Sequence, residues 1–538
     1  MKTPYPTSVL SRARLAAAIA LFVVGASMAA FAAGQGGGAS PQEHLFVGFT
    51  KRPGAAEHAL VERYGGKVRF SFPSVNALAI DLDSAKIGVF AREGGISYVE
   101  KDPVRAPLGL ADEQLTPSLS NGLYGLITTH ALEAQAAGFT GAGVKACVAD
   151  TGLDTTHPDI AANFVAGKDI FGGTNSVDVF KLGVAATETH ATHVSGILLG
   201  VNNNVGILGV ATQAQLYEAR VLGTQQDGSV SGETSQVMAG AQWLADQGCK
   251  VINMSLGGPD RSRTEAALYE QLIANGHMIV ASSGNDGSTR PQYPSGYDVV
   301  VSVGAVDRNN AHASFSNTGG TVDLSGPGVD VLSSVPKGQG FEASVTTTQT
   351  FEAFGLEFAG TTRSRGITKT LVSCGLAVSP SDCPTTVKGN IALIQRGSVT
   401  FAQKVASAMT AGAVGAIIYN NAPGNFHGTL GTATNNGTPW IPAVSVSQAD
   451  GQTLLTQVGS SATLVNAASS WDFFNGTSMA APHVSGVAAL VFGKNPNLTP
   501  FQVESILEST ATDLGPAGYD PTFGWGLVNA TAALGATP

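Results

Sequence analysis

Apolar and polar residues alternate with period two in EHLFVGFT, KVRFSFPSVNALAIDL and ISYVEKD, and recur at helical spacing in AAEHALVERYG and SAKIGVFAREGG between them. Period two places every second side chain on one face of a strand, so each run can cover one side of a core. Residues 43–102 therefore read as a small α+β unit of order βαββαβ. A stretch from Pro107 to Asn121, with Pro, Ser, Asp and Glu, follows and reads as an exposed, cleavable linker.

From about Leu123 the pattern changes. Apolar runs VKACVAD, AQLYEARVL, KVINMSLG, HMIVASSG and VVVSVGAV are separated by helical segments such as SGETSQVMAGAQWLADQG. Runs buried on both faces, alternating with helices, predict an α/β fold with a parallel sheet and helices on both sides. In such sheets chemistry gathers at the carboxyl ends of the strands, which singles out the residue after each run. The alternation stops near Pro336. Residues 340–468 are Thr/Ser-rich and β-leaning, with one helix at FAQKVASAMTAGA and a strand at VGAIIYNN, and read as an inserted β-rich domain. The α/β pattern resumes at FNGTSMAAPHVSG (474–486), where Asn475-Gly476 makes a turn and Ser478 to Phe492 a buried helix with Pro482 close to its first turn.

Length and composition narrow the class. At 538 residues the chain is expected to hold roughly three units. Only 13% of residues are charged and the net charge is −10, so nothing in the composition suggests a nucleic-acid footprint. Lys2, Arg12 and Arg14 precede an apolar run from Leu15 to Phe31 that closes on Ala30-Phe31-Ala32. That pattern predicts a signal peptide over residues 1–32 and a mature form that is secreted and not membrane-embedded. Of the four cysteines, Cys374 and Cys383 flank a short Pro-containing loop and are expected to form a disulfide. Cys147 and Cys249 lie in apolar runs and are expected as buried free thiols.

Candidate chemistry follows from the strand ends. Asp150 closes VKACVAD before a Thr-Gly turn, and His190 and His193 stand at i, i+3 in ETHATHVSGI. Asn285 emerges after Ser-Gly in HMIVASSGND, and Ser478 opens a helix, where unpaired N–H groups favour negative charge. Each has an ordinary reading as turn former, packed ring or helix cap. Together they supply the orienting acid, general base, oxyanion donor and nucleophile of an acyl-transfer site. A zinc site on the two histidines lacks a third ligand and the H-E-x-x-H frame, and an esterase would show a G-x-S-x-G elbow. A pure binding protein needs none of the four residues.

ADTGLDTTHPDI, THATHVSG, INMSLGG, ASSGNDG and GTSMAAPHVSG together resemble the subtilisin-like serine proteases (subtilases, peptidase family S8), from about residue 121 to the C-terminus apart from the insert. The chain order Asp, His, Ser is that family's own. The resemblance implies a subtilisin-like fold with Asp150, His190 and Ser478 as triad and Asn285 as oxyanion donor; Ala191 stands where the family usually has Gly. Residues 43–102 resemble the family's inhibitor I9-type propeptide, which implies a propeptide over 33–112 and a catalytic domain over 113–538. The insert, in VKGNIALIQRGSVTFAQKVASAMTAGAVGAIIYNN and IPAVSVSQADG, resembles a protease-associated (PA) domain.

Further residues carry over by position. Ser255, Leu256 and Gly257 resemble the wall of the pocket for the residue preceding the scissile bond, expected to admit medium to large apolar or aromatic side chains, with Asp286 beside Asn285 leaving a basic residue as the alternative. Gly228, Ser229 and Val230 resemble the edge that pairs with extended substrate. Asp159 with Val201, Asn203, Val205 and Ile207 resembles a structural Ca²⁺ site, which wants oxygen ligands. The implied protein is a secreted endopeptidase acting on proteins and peptides without a catalytic cofactor. It would be made as an autoprocessed zymogen, held by its own propeptide, and act as a monomer.

Overall fold

The computed structural model describes residues 41–108 and 123–538, save Glu357, His427 and Ala433. The expected signal segment and the expected linker beyond Leu108 lie outside the described residues.

Strands β1 (Gln42–Phe49), β2 (Lys67–Phe72), β3 (Ala77–Asp83) and β4 (Ile96–Lys101) form an antiparallel sheet of order β2-β3-β1-β4. Its alternation serves two cores. Leu45, Val47, Leu78, Ile80 and Leu82 pack with Val61 and Phe90 from the unit's own helices, Ala55–Arg63 and Ile87–Phe90. Phe46, Phe72 and Ala79, on the other face, join the hydrophobic cluster of helices Thr234–Asp246 and Arg263–Ala274. A sheet apolar on both sides is stable only with both sides covered, so the small unit is docked on the larger one. After β4 the chain runs on into β5 (Val104–Pro107).

The larger unit carries β6 (Ala146–Asp150), β7 (Phe164–Asp169), β8 (Leu216–Arg220), β9 (Gly223–Thr224), β10 (Val230–Glu233), β11 (Val251–Met254), β12 (Leu256–Gly257), β13 (Met278–Ser282), β14 (Val301–Val306) and β15 (Leu324–Pro327). Seven of these make one parallel sheet in the order β15-β14-β13-β11-β6-β8-β7. Alternate residues of β6 face opposite cores. Ala146 and Val148 pack with the His190–Leu199 and Thr477–Lys494 helices, Cys147 and Ala149 with the two helices named above. The chain leaves β6 toward β8 on one side and returns to β11 on the other, so the order reverses beside Asp150. Ligands bind at such a switch point.

Cys147 and Cys249 correct the sequence reading: they are not free thiols but a disulfide, with Cα atoms 6.0 Å apart. The bond ties β6 to the end of the helix packed beneath it, a contact that a sequence separation of 102 conceals. Cys374 and Cys383 are bonded to each other.

The insert builds its own eight-stranded sheet, with strands Ile367–Ser373, Ile391–Gln395, Gly415–Tyr419 and Ala443–Val446 running parallel at its middle. Gly340 pairs with Ser469, so the chain enters and leaves the insert side by side. Just outside, β16 (Val331–Ser334) pairs antiparallel with Trp471–Phe474 and lies against the His190 helix.

Candidate active site

Asp150 ends β6 fully buried, and the Thr151 N–H donates to its Oδ1 at 2.7 Å. His190 opens the helix His190–Leu199, with Nδ1 2.8 and 3.0 Å from the two oxygens of Asp150. That contact fixes the ring and leaves Nε2 for a proton, and Nε2 is buried without a hydrogen-bond partner. Ser478 Oγ donates instead to the Ser255 carbonyl at 3.0 Å. Nucleophile–base hydrogen bonds often tighten only as substrate reacts.

The Ser478 helix begins at Thr477, after Gly476, whose φ of 151° an L-residue rarely adopts. A Cβ at Gly476 would also lie 3.1 Å from Asn285 Nδ2. Pro482 sits one turn inside the helix rather than at its first residues, so it cannot donate to the Ser478 carbonyl. The Ser255 hydroxyl takes that acceptor, at 2.7 Å. Proline thereby exchanges a helix bond for one that ties Ser478 to Ser255, just ahead of β12.

Asn285 is aimed by Thr477, whose N–H and Oγ1 donate to its Oδ1 at 2.9 and 2.8 Å. Its Nδ2 therefore faces outward, and 3.1 Å away lies the carbonyl oxygen of Leu108. Ser478 Oγ lies 3.4 Å from the same oxygen. Behind it β5 runs antiparallel between two edges, with Arg105 opposite Gly232, Val104 opposite Glu233, Pro107 opposite Leu256 and Ala106 opposite Gly257. A Cβ on Gly257 would sit 3.3 Å from a Leu108 methyl, so the missing side chain makes room for Leu108. Ser255, Leu256 and Gly257 all come together here. Of the three residues expected at the opposite edge, Val230 alone lies in β10, Gly228 and Ser229 forming the turn before it, and the pairing falls on Gly232 and Glu233.

Two positions before His190 stands a residue that no local sequence pattern marks. Glu188 is fully buried and accepts from Gly152 N–H (2.9 Å), Arg220 Nε (2.7 Å) and Nη2 (2.6 Å), and Thr224 N–H (3.0 Å). Arg220 also donates to Asp169 Oδ1 at 2.9 Å. One carboxylate thus joins the turn after Asp150, the start of the His190 helix and β9. His193, by contrast, turns away from His190: Nε2 lies 3.1 and 3.2 Å from the carbonyls of Val331 and Asp472, and the ring stacks on Phe474 at 4.2 Å. Burial, with His190 nearby, pushes its pKa down to about 3, so the ring is a neutral packing element.

The residues expected at a calcium site also converge. Asp159 Oδ2 accepts from Trp471 Nε1 (2.6 Å), Ser334 Oγ (2.8 Å) and Ile207 N–H (3.3 Å), and Val201 N–H donates to the Asp159 carbonyl. Asn203 bonds within its surroundings, Nδ2 to the Pro158 carbonyl and Oδ1 from Val205 N–H. Asp159 Oδ1 is buried with no hydrogen-bond partner.

A parallel α/β sheet that presents a buried Asp–His pair, a serine at a helix start and an aimed amide around a peptide carbonyl defines a serine endopeptidase. Comparison with known proteins supplies the family. The subtilase family pattern matches residues 141–361 and the PA domain pattern residues 367–454. Subtilisin E of Bacillus subtilis is 33% identical over 320 residues, 58% of this chain and 77% of its own length. Alkaline elastase YaB of Bacillus sp. is 28% identical over 466 residues, 86% and 80% of the two chains. The crystal structure of the subtilisin-like protease Apa1 from Pseudoalteromonas sp. AS-11 superposes with a TM-score of 0.58 at 32% identity, over 76% of this chain and 96% of that one. The chain belongs to the subtilase family and carries an inserted PA domain.

Proposed function

We propose that the protein is a secreted endopeptidase made as a zymogen, and that it severs its own Leu108–Gly109 bond. The observation that supports this is the Leu108 carbonyl lying between Asn285 Nδ2 and Ser478 Oγ, at the end of a strand paired on both edges as a substrate would be. His190 takes the Ser478 proton as Oγ attacks the Leu108 carbonyl carbon. Asp150 holds the imidazolium and Asn285 donates to the oxyanion. His190 then returns the proton to the leaving amine of Gly109, and water hydrolyses the acyl-enzyme. Residues up to Leu108 remain docked afterwards as a product-like inhibitor, which places the end of the propeptide four residues before the boundary at 112 expected from sequence. No helix among the described residues is long and apolar enough to cross a membrane.

The test is expression of the full chain and of Ser478→Ala in a protease-deficient host. The wild type is expected to yield a mature N-terminus at Gly109, and Ser478→Ala an uncut precursor. The same cut at the normal rate in Ser478→Ala would overturn self-processing.

A structural Ca²⁺ ion belongs to the same reading. Asp159 Oδ1 is buried without a donor, which is costly unless a cation satisfies it, and Asn203 with its loop flanks it. Asp159 and the loop 201–207 would hold the ion, which would neutralise that carboxylate and brace the loop. A folded-state-only ligand raises the melting temperature with concentration, so EDTA should lower it. An unchanged transition in EDTA and in millimolar calcium would remove the ion from the account.

A further inference from the structure

Counting back from Leu108, the fourth residue is Arg105, and its surroundings are unlike those of the other three. Val104 is exposed, whereas the Arg105 side chain is wholly buried. Its Nη2 donates to Glu265 Oε2 at 2.6 Å and to the Asp260 carbonyl at 3.0 Å, and Nη1 reaches the Val104 carbonyl at 3.3 Å. Glu265 is equally buried. Tyr269 OH donates to its Oε1 at 3.1 Å and Tyr297 OH lies 2.8 Å from its Oε2. Both tyrosines belong to the larger unit, as does Ser262, whose Oγ caps the helix by accepting the Glu265 N–H. The acidic socket is therefore built by the catalytic unit and filled by the propeptide. Burial opposes the charge on Arg105, but Glu265 outweighs it and the guanidinium is held more firmly protonated than usual.

We infer that Glu265 makes this subsite selective for arginine, so that the enzyme cuts best where arginine stands fourth before the scissile bond. The inference rests on the proposed reading of β5 as a bound, substrate-like strand. Its physical basis is as much rejection as attraction. An arginine gives the carboxylate a counter-charge through Nη2, which also donates to the Asp260 carbonyl, while Nη1 stays on the Val104 carbonyl. An apolar side chain at that position would cover Glu265, strip its water and leave the charge with two hydroxyl partners alone. A lysine ammonium can make the two contacts that Nη2 makes but lacks the second nitrogen, which reaches the Val104 carbonyl. Truncating one member of a buried, hydrogen-bonded charge pair at an interface costs enough to change affinity about 30-fold or more.

The test uses the processed wild-type enzyme and four blocked 4-nitroanilides ending in Ala-Pro-Leu, with Arg, Lys, Leu or Ala in front. We expect kcat/KM for Arg to exceed that for Ala and Leu by about 30-fold or more, with Lys between. Glu265→Leu should reverse the order of Arg and Leu, and Glu265→Gln should shrink the Arg advantage. If Glu265→Leu does not fold, the wild-type panel alone decides. Values for Arg and Ala within threefold, or an Arg preference that survives Glu265→Leu, would overturn the inference while leaving the protease reading intact. Failure to cleave any of the four peptides would overturn the protease reading and this inference with it.

Discussion

Glu188 offers a quantitative test of how the site is held together. Replacing it with Ala removes the acceptor for Gly152 N–H, Thr224 N–H and two donors of Arg220. Arg220 keeps Asp169, and its guanidinium lies 4.9 Å over the Phe171 ring, but its charge loses the bidentate partner. Breaking a buried ion pair by deleting one member typically costs about 3–5 kcal/mol. Unfolding entropy near 2.1 cal/mol/K per residue, over a catalytic unit of roughly 300 residues, converts this to a Tm lower by about 5–8 °C. Glu188→Gln keeps the shape and one acceptor, so its loss should fall between wild type and Ala. The scans belong in a Ser478→Ala background, which prevents self-digestion, and at matched scan rates because protease unfolding is seldom reversible.

The same variant should also slow catalysis. Glu188 touches no reacting atom, but it joins the turn carrying Asp150 to the segment leading into His190. Loosening that joint misplaces Asp150 and His190, the proposed acid and base, relative to each other, and a displacement near 1 Å costs about 10² in rate. We expect kcat, measured on active-site-titrated enzyme with a tripeptide anilide, to fall by that order. KM should rise less, because the substrate edge is reached only through β9. A Tm within 1 °C of the parent together with kcat within twofold would refute the bracing role.

Three further outcomes follow from named contacts. Asn285→Ala should lower kcat by about 10²–10³ with little change in KM, a range established on a member of this family; a loss under threefold would mean that its amide does not meet the oxyanion. Glu218 is fully buried with neither oxygen bonded, and burial, with Asp150 nearby, holds its pKa well above the ordinary value. Its stabilising contribution is then complete below the unfolded pKa and lost as pH rises through the folded one, so Glu218→Gln should gain Tm over wild type at pH 9 relative to pH 5; parallel Tm–pH curves would refute this. Replacing both Cys147 and Cys249 with Ala reopens a loop of 102 residues, and should cost about 2–5 kcal/mol in denaturant unfolding of the Ser478→Ala precursor; an unchanged midpoint would mean that the bond contributes nothing.

The middle of the sheet was readable in the sequence because β6, β8, β11, β13 and β14 are buried on both faces and appear as mostly apolar runs, whereas the half-exposed β7 and the short β15 carry no such run. Alternation gave the small antiparallel unit equally well, since each of its faces must be covered. What local pattern could not supply was pairing across distance. Cys147 and Cys249 read as core thiols because nothing near either one reports that a helix end returns beneath β6. Val230 was found and Gly232 was not, because the register of an edge strand is set by its partner and the partner here is another domain. Glu188 lay two residues from a recognised histidine, yet a lone Glu before a helix reads as a capping or dipole residue. Only Arg220, 32 positions later, gives it a different role.

Glu265 shows the same limit more sharply. In SRTEAALYEQL it occupies the first turn of an amphipathic helix behind a Ser cap, where an acidic side chain is favoured by the helix dipole and usually faces water. Every local rule accounts for it, so no local rule marks it as unusual. The anomaly is visible only when burial is known: a carboxylate with no exposure, two tyrosine hydroxyls around it and a guanidinium supplied from a segment 160 positions earlier. A buried charge in a fold this apolar demands a partner, and the partner is a residue that the proposed processing at Leu108 would free to leave. If it leaves, the carboxylate is uncovered in the cleft and the need for a counter-charge passes to whatever substrate binds next. That transfer converts a feature of the precursor's assembly into a rule about what the mature enzyme will cut.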